Sequence, residues 1–269
     1  MVKYAIAVAV GLAASVSAVS ASSINATLYN ASDTPGGVQP GTQTMTVMFK
    51  DAANNTYAYS PAFVGQLNWH DAGPLANLND GLNSQLGSIL GPNGTFSTYC
   101  IEGVQDVTFG DNETWNLGVV NLSAAPSPGS PMGTTKAAEL TELWNRDFDS
   151  IGTNNELATA FQLAIWEIVG DGITVGGETS TNFATGNFQA SGDSTAIGQA
   201  VTWLNQIGSG GTVANEYSLY ALSDDNIQDQ VFAVPNGGTP PSVPLPAALP
   251  AGLALMSGLG IARFFRRRA

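Results

Sequence analysis

The chain contains a single cysteine, Cys100, inside the segment Thr98-Tyr-Cys-Ile-Glu102. The short run from Phe96 to Ile101 predicts a strand. One cysteine cannot form an internal disulfide, so Cys100 is a buried small apolar residue, half of an intermolecular bridge, or a reactive group. A reactive thiol attacks carbonyl carbons, including that of a glutamine amide, from which it displaces ammonia to form an internal thioester.

Gln162 is the candidate partner, because it lies on the apolar flank of a predicted helix. From Glu156 to Val169, apolar residues recur at the spacing of one helical face, namely Leu157, Ala160, Phe161, Ala164, Ile165 and Ile168. The flank beside that face is also apolar, which leaves as the wet side only Glu156, Thr159 and Glu167. An unpartnered amide on the flank costs a few kcal/mol. We therefore expect Gln162 to bind either a backbone group or, in a thioester, the Cys100 sulfur.

The two segments together resemble the thioester domains of bacterial surface adhesins. In that family a cysteine in an aromatic-Cys-aliphatic-acidic context is bonded to the glutamine of a Thr-Gln-x-Ala-aliphatic-Trp motif. This chain has Tyr99-Cys-Ile-Glu102 followed by Phe161-Gln-Leu-Ala-Ile-Trp166, with Phe161 at the position of the usual Thr. The resemblance covers residues 96–170. It implies a Cys100–Gln162 thioester that is shielded from water by Tyr99, Phe161 and Trp166 and transfers its acyl group to an amine or hydroxyl on another surface.

The C-terminal region has three parts in order, which are a proline motif, an apolar run over residues 247–262 and an arginine cluster. The motif consists of Val243, Pro244, Leu245, Pro246 and Ala247, and the cluster of Arg263, Arg266, Arg267 and Arg268. Arginines resist translocation, so this pattern favours a cytoplasmic end and a body on the other side of the membrane.

This tail resembles the PEP-CTERM sorting signals of exported bacterial proteins, in the VPLPA variant. The resemblance covers residues 243–269 and implies an exosortase-type processing enzyme that cuts near the motif and passes the body to the cell surface. A permanent tail anchor is the alternative, although the apolar run is shorter than the roughly 20 residues of a spanning helix.

The N-terminal segment agrees with export. Lys3 precedes an apolar stretch over residues 4–14, and the small residues Val19-Ser-Ala21 follow it. This order is typical of a signal peptide, so we expect residues 1–21 to be removed and the mature protein to begin near Ser22. An uncleaved anchor is the alternative, and it would need a longer apolar run.

The body between the two signals is strongly acidic. All 21 Asp and Glu residues fall within it, opposed only by Lys50, Lys136 and Arg146. Such a surface repels phosphate backbones and anionic lipid headgroups, so we expect no nucleic-acid partner and membrane contact only through the tail before processing. His70 is the sole histidine, and no phosphate-binding loop or zinc spacing appears. The sequence therefore predicts neither a metal nor a cofactor.

The body is predicted to be one α+β ectodomain over residues 22–234, with a β-rich first half, three helices and closing strands. Strands are predicted at residues 44–50, 57–59, 63–69, 96–101, 115–122, 217–222 and 230–234. The predicted helices cover residues 137–148, 156–169 after an Asn155 cap, and 194–207 after Asp193. A proline- and glycine-rich linker over residues 235–242 leads to the sorting signal.

These features predict an exported, non-enzymatic protein of the cell surface or extracellular matrix, held transiently at the inner membrane. The leading hypothesis is attachment, with the thioester reacting with nucleophiles on surface polysaccharide or protein. The alternatives are a non-reactive structural or polysaccharide-binding matrix protein and, third, a secreted hydrolase, which would need a carboxylate pair in a cleft.

Overall fold

A computed structural model describes residues 22–28, 44–71, 95–105, 107, 114–126, 131–173 and 182–236. These ranges form a mixed α+β fold, as the sequence predicted. The strands are β1 Ser22–Leu28, β2 Thr44–Lys50, β3 Thr56–Phe63, β4 Leu67–Asp71, β5 Thr95–Cys100, β6 Thr114–Asn121, β7 Phe188–Ser191, β8 Tyr217–Asp224 and β9 Ile227–Pro235. The helices are α1 Gly133–Ile151, α2 Asn155–Gly170 and α3 Ser194–Leu204, with a 3-10 turn at Leu122–Ala124.

Six antiparallel strands close into a barrel in the order β1-β4-β5-β9-β8-β6. Strand β5 lies between β4 and β9, and its pairing with β4 reaches only to Thr98, opposite Leu67. The next residues of β5 pair on the other side, where Cys100 lies opposite Gln230 of β9. The end of β5 therefore has one free hydrogen-bonding edge, on the side that β4 has left.

The remaining strands form a three-stranded sheet in the order β3-β2-β7. This second sheet packs against helix α2 through Phe49, whose ring centroid lies 5.1 Å from that of Trp166. The Phe49 ring also lies directly on the chain that follows β5, because a Cβ atom at Gly103 would stand 2.1 Å from Phe49 Cγ. Only a glycine permits this approach, which brings the second sheet to the end of β5.

Helices α2 and α3 begin at side-chain caps. Asn154 Oδ1 accepts hydrogen bonds from the N–H groups of Glu156 and Leu157 at 2.9 and 3.2 Å. Asp193 Oδ1 caps α3 in the same way, at 2.9 and 3.1 Å, as the sequence predicted. The predicted Asn155 cap of α2 is wrong by one residue, and α3 ends at Leu204 rather than at Ile207, since the chain turns there.

An aromatic cluster joins the helices to the outer face of strand β5. The Phe161 ring of α2 lies at its centre, with ring centroids 5.1 Å from Tyr99 and 5.3 Å from Trp144. Trp203 of α3 contacts the same ring at 5.9 Å. Aromatic pairs at these separations stabilise a core beyond their buried area. The cluster fixes α2 over the barrel.

Helix α2 is buried on nearly every side, which corrects the wet side expected from its sequence. Thr159 is fully buried and Glu167 is 1% exposed. Thr159 is accommodated because its hydroxyl donates to the carbonyl of Val64 at 3.0 Å. The helix is therefore a central element rather than an amphipathic surface helix.

Two strands were not predicted from the sequence, namely β1 and the four-residue β7. Phe63 ends β3 rather than opening β4, and Leu122 belongs to the 3-10 turn rather than to β6. In the part of the chain that the structure describes, no helix is both long and apolar enough to cross a bilayer. The predicted signal peptide, nearly all of the linker and the sorting signal over residues 243–269 lie outside the described residues.

Candidate functional site

The side chain of Gln162 occupies the free edge of strand β5 at Cys100. The Cys100 N–H donates to Gln162 Oε1, and Gln162 Nε2 donates to the Cys100 carbonyl, each at 2.8 Å. A primary amide carries a donor and an acceptor side by side, so it takes the place of the peptide group of a neighbouring strand. The expectation of a specific partner for Gln162 is confirmed, and that partner is the backbone of Cys100.

Helix α2 reaches this edge because a second side chain anchors it nearby. Thr159 lies three residues before Gln162, on the same side of the helix. Its hydroxyl binds the carbonyl of Val64, in the segment that connects β3 to β4. Helix α2 thus covers the opening that β4 leaves beside β5, and Gln162 is fully buried there.

The sulfur of Cys100 contacts two further glutamines, both on strand β9. The thiol donates to Gln228 Oε1 at 2.9 Å, and Gln230 Nε2 donates to the sulfur at 3.6 Å. Alternate residues of a strand share a face, which is why both amides reach one sulfur. This pair was not predicted from the sequence. The available signal was two carboxamides spaced two residues apart at the start of a predicted closing strand.

Gln230 is held by a buried chain of hydrogen bonds. Thr98 Oγ1 donates to Gln230 Oε1 at 3.1 Å, and Trp69 Nε1 donates to Thr98 Oγ1 at 2.8 Å. Gln230 Nε2 also donates to the carbonyl of Gln228 at 2.8 Å. Both Thr98 and Gln230 are fully buried. The amide of Gln230 therefore has one orientation, with its NH₂ group toward the sulfur.

The electrostatics of the site favour the neutral thiol. Burial, with a smaller contribution from the Glu102 carboxylate, raises the pKa of Cys100 to about 12, against the hydrogen bond from Gln230, which lowers it. Burial likewise raises the pKa of Glu102 to about 7, opposed by the hydrogen bond from the Asp229 N–H. A thiolate at Cys100 would therefore be a high-energy species in the folded protein.

Cys100 and Gln162 share a cavity of about 180 Å³. Trp166 of α2 and Phe49 of the second sheet lie in its wall, and Phe63, which is 62% exposed, lies at its rim. Trp166 and Phe49 also line a neighbouring cavity of about 580 Å³ that includes Glu102. The thiol and the amide are thus covered by aromatic rings but adjoin space that a small molecule can enter.

The three residues expected to shield a thioester do not share one environment. Trp166 lines the cavity, whereas Tyr99 and Phe161 belong to the aromatic cluster. Successive residues of a strand point to opposite faces, so Tyr99 lies behind β5 as seen from the Cys100 side chain. Phe49 and Tyr59, from the second sheet, cover the cavity in their place. Sequence periodicity does not indicate which sheet packs on a given helix, so these two residues were not predicted.

Within the described ranges, His, Cys, Asp and Glu side chains form no group of three or more that could hold a metal ion. A search of protein-family models, curated proteins and solved structures found no match to this chain. The groups that could react with each other are the thiol of the sole cysteine and the amide of Gln162, which is hydrogen-bonded to the backbone of that cysteine.

Proposed function

We propose that this protein is an exported surface-attachment protein whose Cys100 and Gln162 form an internal thioester. The supporting observation is the double hydrogen bond between the Gln162 amide and the Cys100 backbone. It holds the carboxamide beside the residue that carries the thiol, inside a cavity that both line. Proximity of this kind replaces an encounter between separate molecules and so removes the entropic part of the barrier to reaction.

Thioester formation is an exchange of one bond for another. The Cys100 sulfur leaves Gln228 Oε1 and attacks Gln162 Cδ, the new S–C bond forms, and the C–N bond to the side-chain nitrogen breaks. The thiol proton leaves with that nitrogen as ammonia, so no oxidant or cofactor is consumed. The Cys100 N–H that binds Gln162 Oε1 in the amide stabilises the negative charge that develops on this oxygen during attack.

The stored acyl group is then transferred to an outside nucleophile. An amine or hydroxyl of a surface polysaccharide or protein attacks Gln162 Cδ, the C–S bond breaks, and the sulfur regains a proton. The product is an amide or ester that links Gln162 to the partner. The rings of Trp166 and Phe49 in the cavity wall limit the access of water to the bond, which slows its hydrolysis before a partner arrives.

A non-reactive matrix protein is the second candidate, and one observation favours it. The Gln162 amide already has a donor and an acceptor partner on Cys100, and the thiol already has Gln228. These bonds alone satisfy the buried amide. In that case Gln162 completes the edge of β5 and contributes stability only.

Intact-protein mass spectrometry separates the two candidates. If the thioester forms, the mature protein is lighter than its sequence by one ammonia, and Cys100 resists thiol reagents until methylamine is added. Methylamine then frees the thiol and labels Gln162. The half-buried Gln189 serves as an internal control, because peptide mapping should find it unlabelled. The variant Cys100→Ala should have its full sequence mass.

A folded protein with its full sequence mass and a Gln162 that methylamine does not label would refute the thioester and leave the non-reactive candidate. Cys100→Ala should keep the fold, because the bond would link elements that already pack together. Circular dichroism of this variant checks that it does. The comparison therefore does not depend on an unfolded variant.

Export and sorting are a separate part of the proposal, supported by the order of proline motif, apolar run and arginine cluster in the tail. We expect a chain truncated after Ser242 to be released into the medium of a bacterium that has an exosortase. The full chain should lose residues 247–269 during maturation and stay at the surface. Surface-extracted protein that still carries these residues would show a permanent tail anchor instead.

A further inference from the structure

Two glutamines of strand β9 meet the sulfur of Cys100 in opposite roles. Gln228 presents an oxygen, which accepts the thiol proton at 2.9 Å, and Gln230 presents an NH₂ group, which donates to the sulfur at 3.6 Å. A hydrogen-bond acceptor suits the protonated thiol, whereas a donor suits a sulfur that carries negative charge. The pair therefore provides a partner for each protonation state of one atom.

We propose that Gln230 stabilises the departing Cys100 thiolate during acyl transfer, and that Gln228 receives the thiol once the sulfur is protonated. This inference rests on the proposed thioester chemistry and names the leaving-group residue of that site. When the C–S bond of the tetrahedral intermediate breaks, the electron pair stays on Cys100 Sγ. The proton lost by the attacking amine later restores the thiol, and the amide to Gln162 remains.

The surroundings explain why such a donor is needed. Cys100 is 6% exposed, and a buried thiolate is both costly and a poor leaving group unless donors reach it. Among the described residues, the side-chain donor directed at this sulfur is Gln230 Nε2. It is also fixed in advance, because the chain from Trp69 through Thr98 fixes its amide orientation. A preorganised donor costs no rearrangement at the moment of bond cleavage.

The inference predicts that Gln230→Met slows transfer without preventing thioester formation. Methionine keeps the length of the side chain and removes the donor. Hydrogen bonds to charged groups are strong enough that the rate of methylamine opening, followed by intact mass, should fall about ten- to hundredfold. The matched control is Gln189→Met, which removes a half-buried amide outside the site, bonded to the carbonyl of Gly186, and should change the rate by less than about twofold.

A second readout separates a chemical role from a structural one. After opening with methylamine, the freed thiol of Gln230→Met should react with iodoacetamide more slowly than the parent at the same pH, because less of it is thiolate. Thr98→Val, which keeps the side-chain shape and releases the Gln230 amide, should shift both rates in the same direction by a smaller factor. This variant provides the test if Gln230→Met does not fold.

The outcomes distinguish this inference from the proposed function. Absence of the ammonia loss in the parent protein refutes the thioester, and the iodoacetamide rates of parent and Gln230→Met then still decide whether Gln230 stabilises the thiolate. The other outcome concerns a parent protein that does form the thioester. If Gln230→Met then opens with methylamine within about twofold of the parent rate, the proposed role of Gln230 is wrong, although the thioester itself is confirmed. Thr98→Val is judged by the same criterion if Gln230→Met does not fold.

Discussion

Two buried polar side chains on helix α2, Gln162 and Glu167, differ in what the fold provides for them. Gln162 has a donor and an acceptor partner, each at 2.8 Å. Glu167, little more than one turn further along, is 1% exposed, yet neither of its carboxylate oxygens has a hydrogen-bond partner among the described residues. Burial, and to a smaller extent the nearby Asp171, raises the pKa of Glu167 to about 8.

The difference shows that one helix can contain a site whose stability does not depend on pH and, about one turn away, a residue that destabilises the helix as pH rises. A neutral amide with both partners satisfied tolerates a low-dielectric surrounding at any pH, so Gln162 stays beside Cys100. An unpaired carboxyl in the same helix tolerates burial only when it is protonated. The end of α2 near Glu167 is therefore expected to lose stability under conditions that leave the Gln162 region unchanged.

The largest effect is expected from Gln162→Met in a Cys100→Ala background, where no thioester can form. Methionine fills a similar volume but leaves the N–H and carbonyl of residue 100 buried without partners. Each unpaired group costs about 1–3 kcal/mol, so the free energy of unfolding should fall by about 2–6 kcal/mol. Urea denaturation of the single and double variants measures this directly.

The matched control is Gln189→Met in the same background. Gln189 is half-buried and its amide makes one hydrogen bond, to the carbonyl of Gly186 at 3.2 Å. Its loss should cost less than about 1 kcal/mol, since water replaces the amide. Equal losses at residues 162 and 189 would mean that the Gln162 bonds do not hold the edge of β5.

Much of the fold could be predicted from local patterns, and its closure could not. The alternation of Met45, Val47 and Phe49 marked β2, and helical periodicity marked α2 to within a residue or two. Strand β1 has the same alternation, with Ile24, Ala26 and Leu28 buried, but it was not predicted because it directly follows the predicted cleavage site and includes the weakly apolar Ala26. The pairing of β5 with β9 joins residues far apart in sequence, and periodicity carries no information about partners.

The candidate site was predicted in part. The cost of burying an amide indicated that Gln162 needs a partner, and the resemblance to thioester domains indicated Cys100. The roles of Gln228 and Gln230 depend on the register that places Gln230 opposite Cys100. The covering ring of Phe49 depends on packing between sheets and on the missing side chain of Gly103. Both are tertiary properties that a single sequence does not state.

A smaller effect of opposite sign is expected from Glu167→Gln. Because the folded-state pKa of about 8 lies above the ordinary value of 4.5, the folded protein retains a proton on Glu167 that the unfolded chain releases. Stability is therefore lost as pH rises from about 4.5 to about 8, and the full penalty applies above that range. Glutamine resembles the protonated acid and does not titrate. The variant should match the parent at low pH and exceed its free energy of unfolding by on the order of 1–3 kcal/mol above pH 8.

The exposed Glu216 supplies the control, since Glu216→Gln removes a carboxylate of the same charge without changing a buried group. Urea denaturation of the three proteins across the pH range separates a local effect from the general relief of negative charge in an acidic body, because general relief would stabilise both variants alike. A Glu167→Gln variant whose advantage does not grow with pH would mean that Glu167 is ionised in the folded protein. The contrast with Gln162 would then be one of hydrogen bonding alone, and the end of α2 would not be the part of the helix that pH weakens.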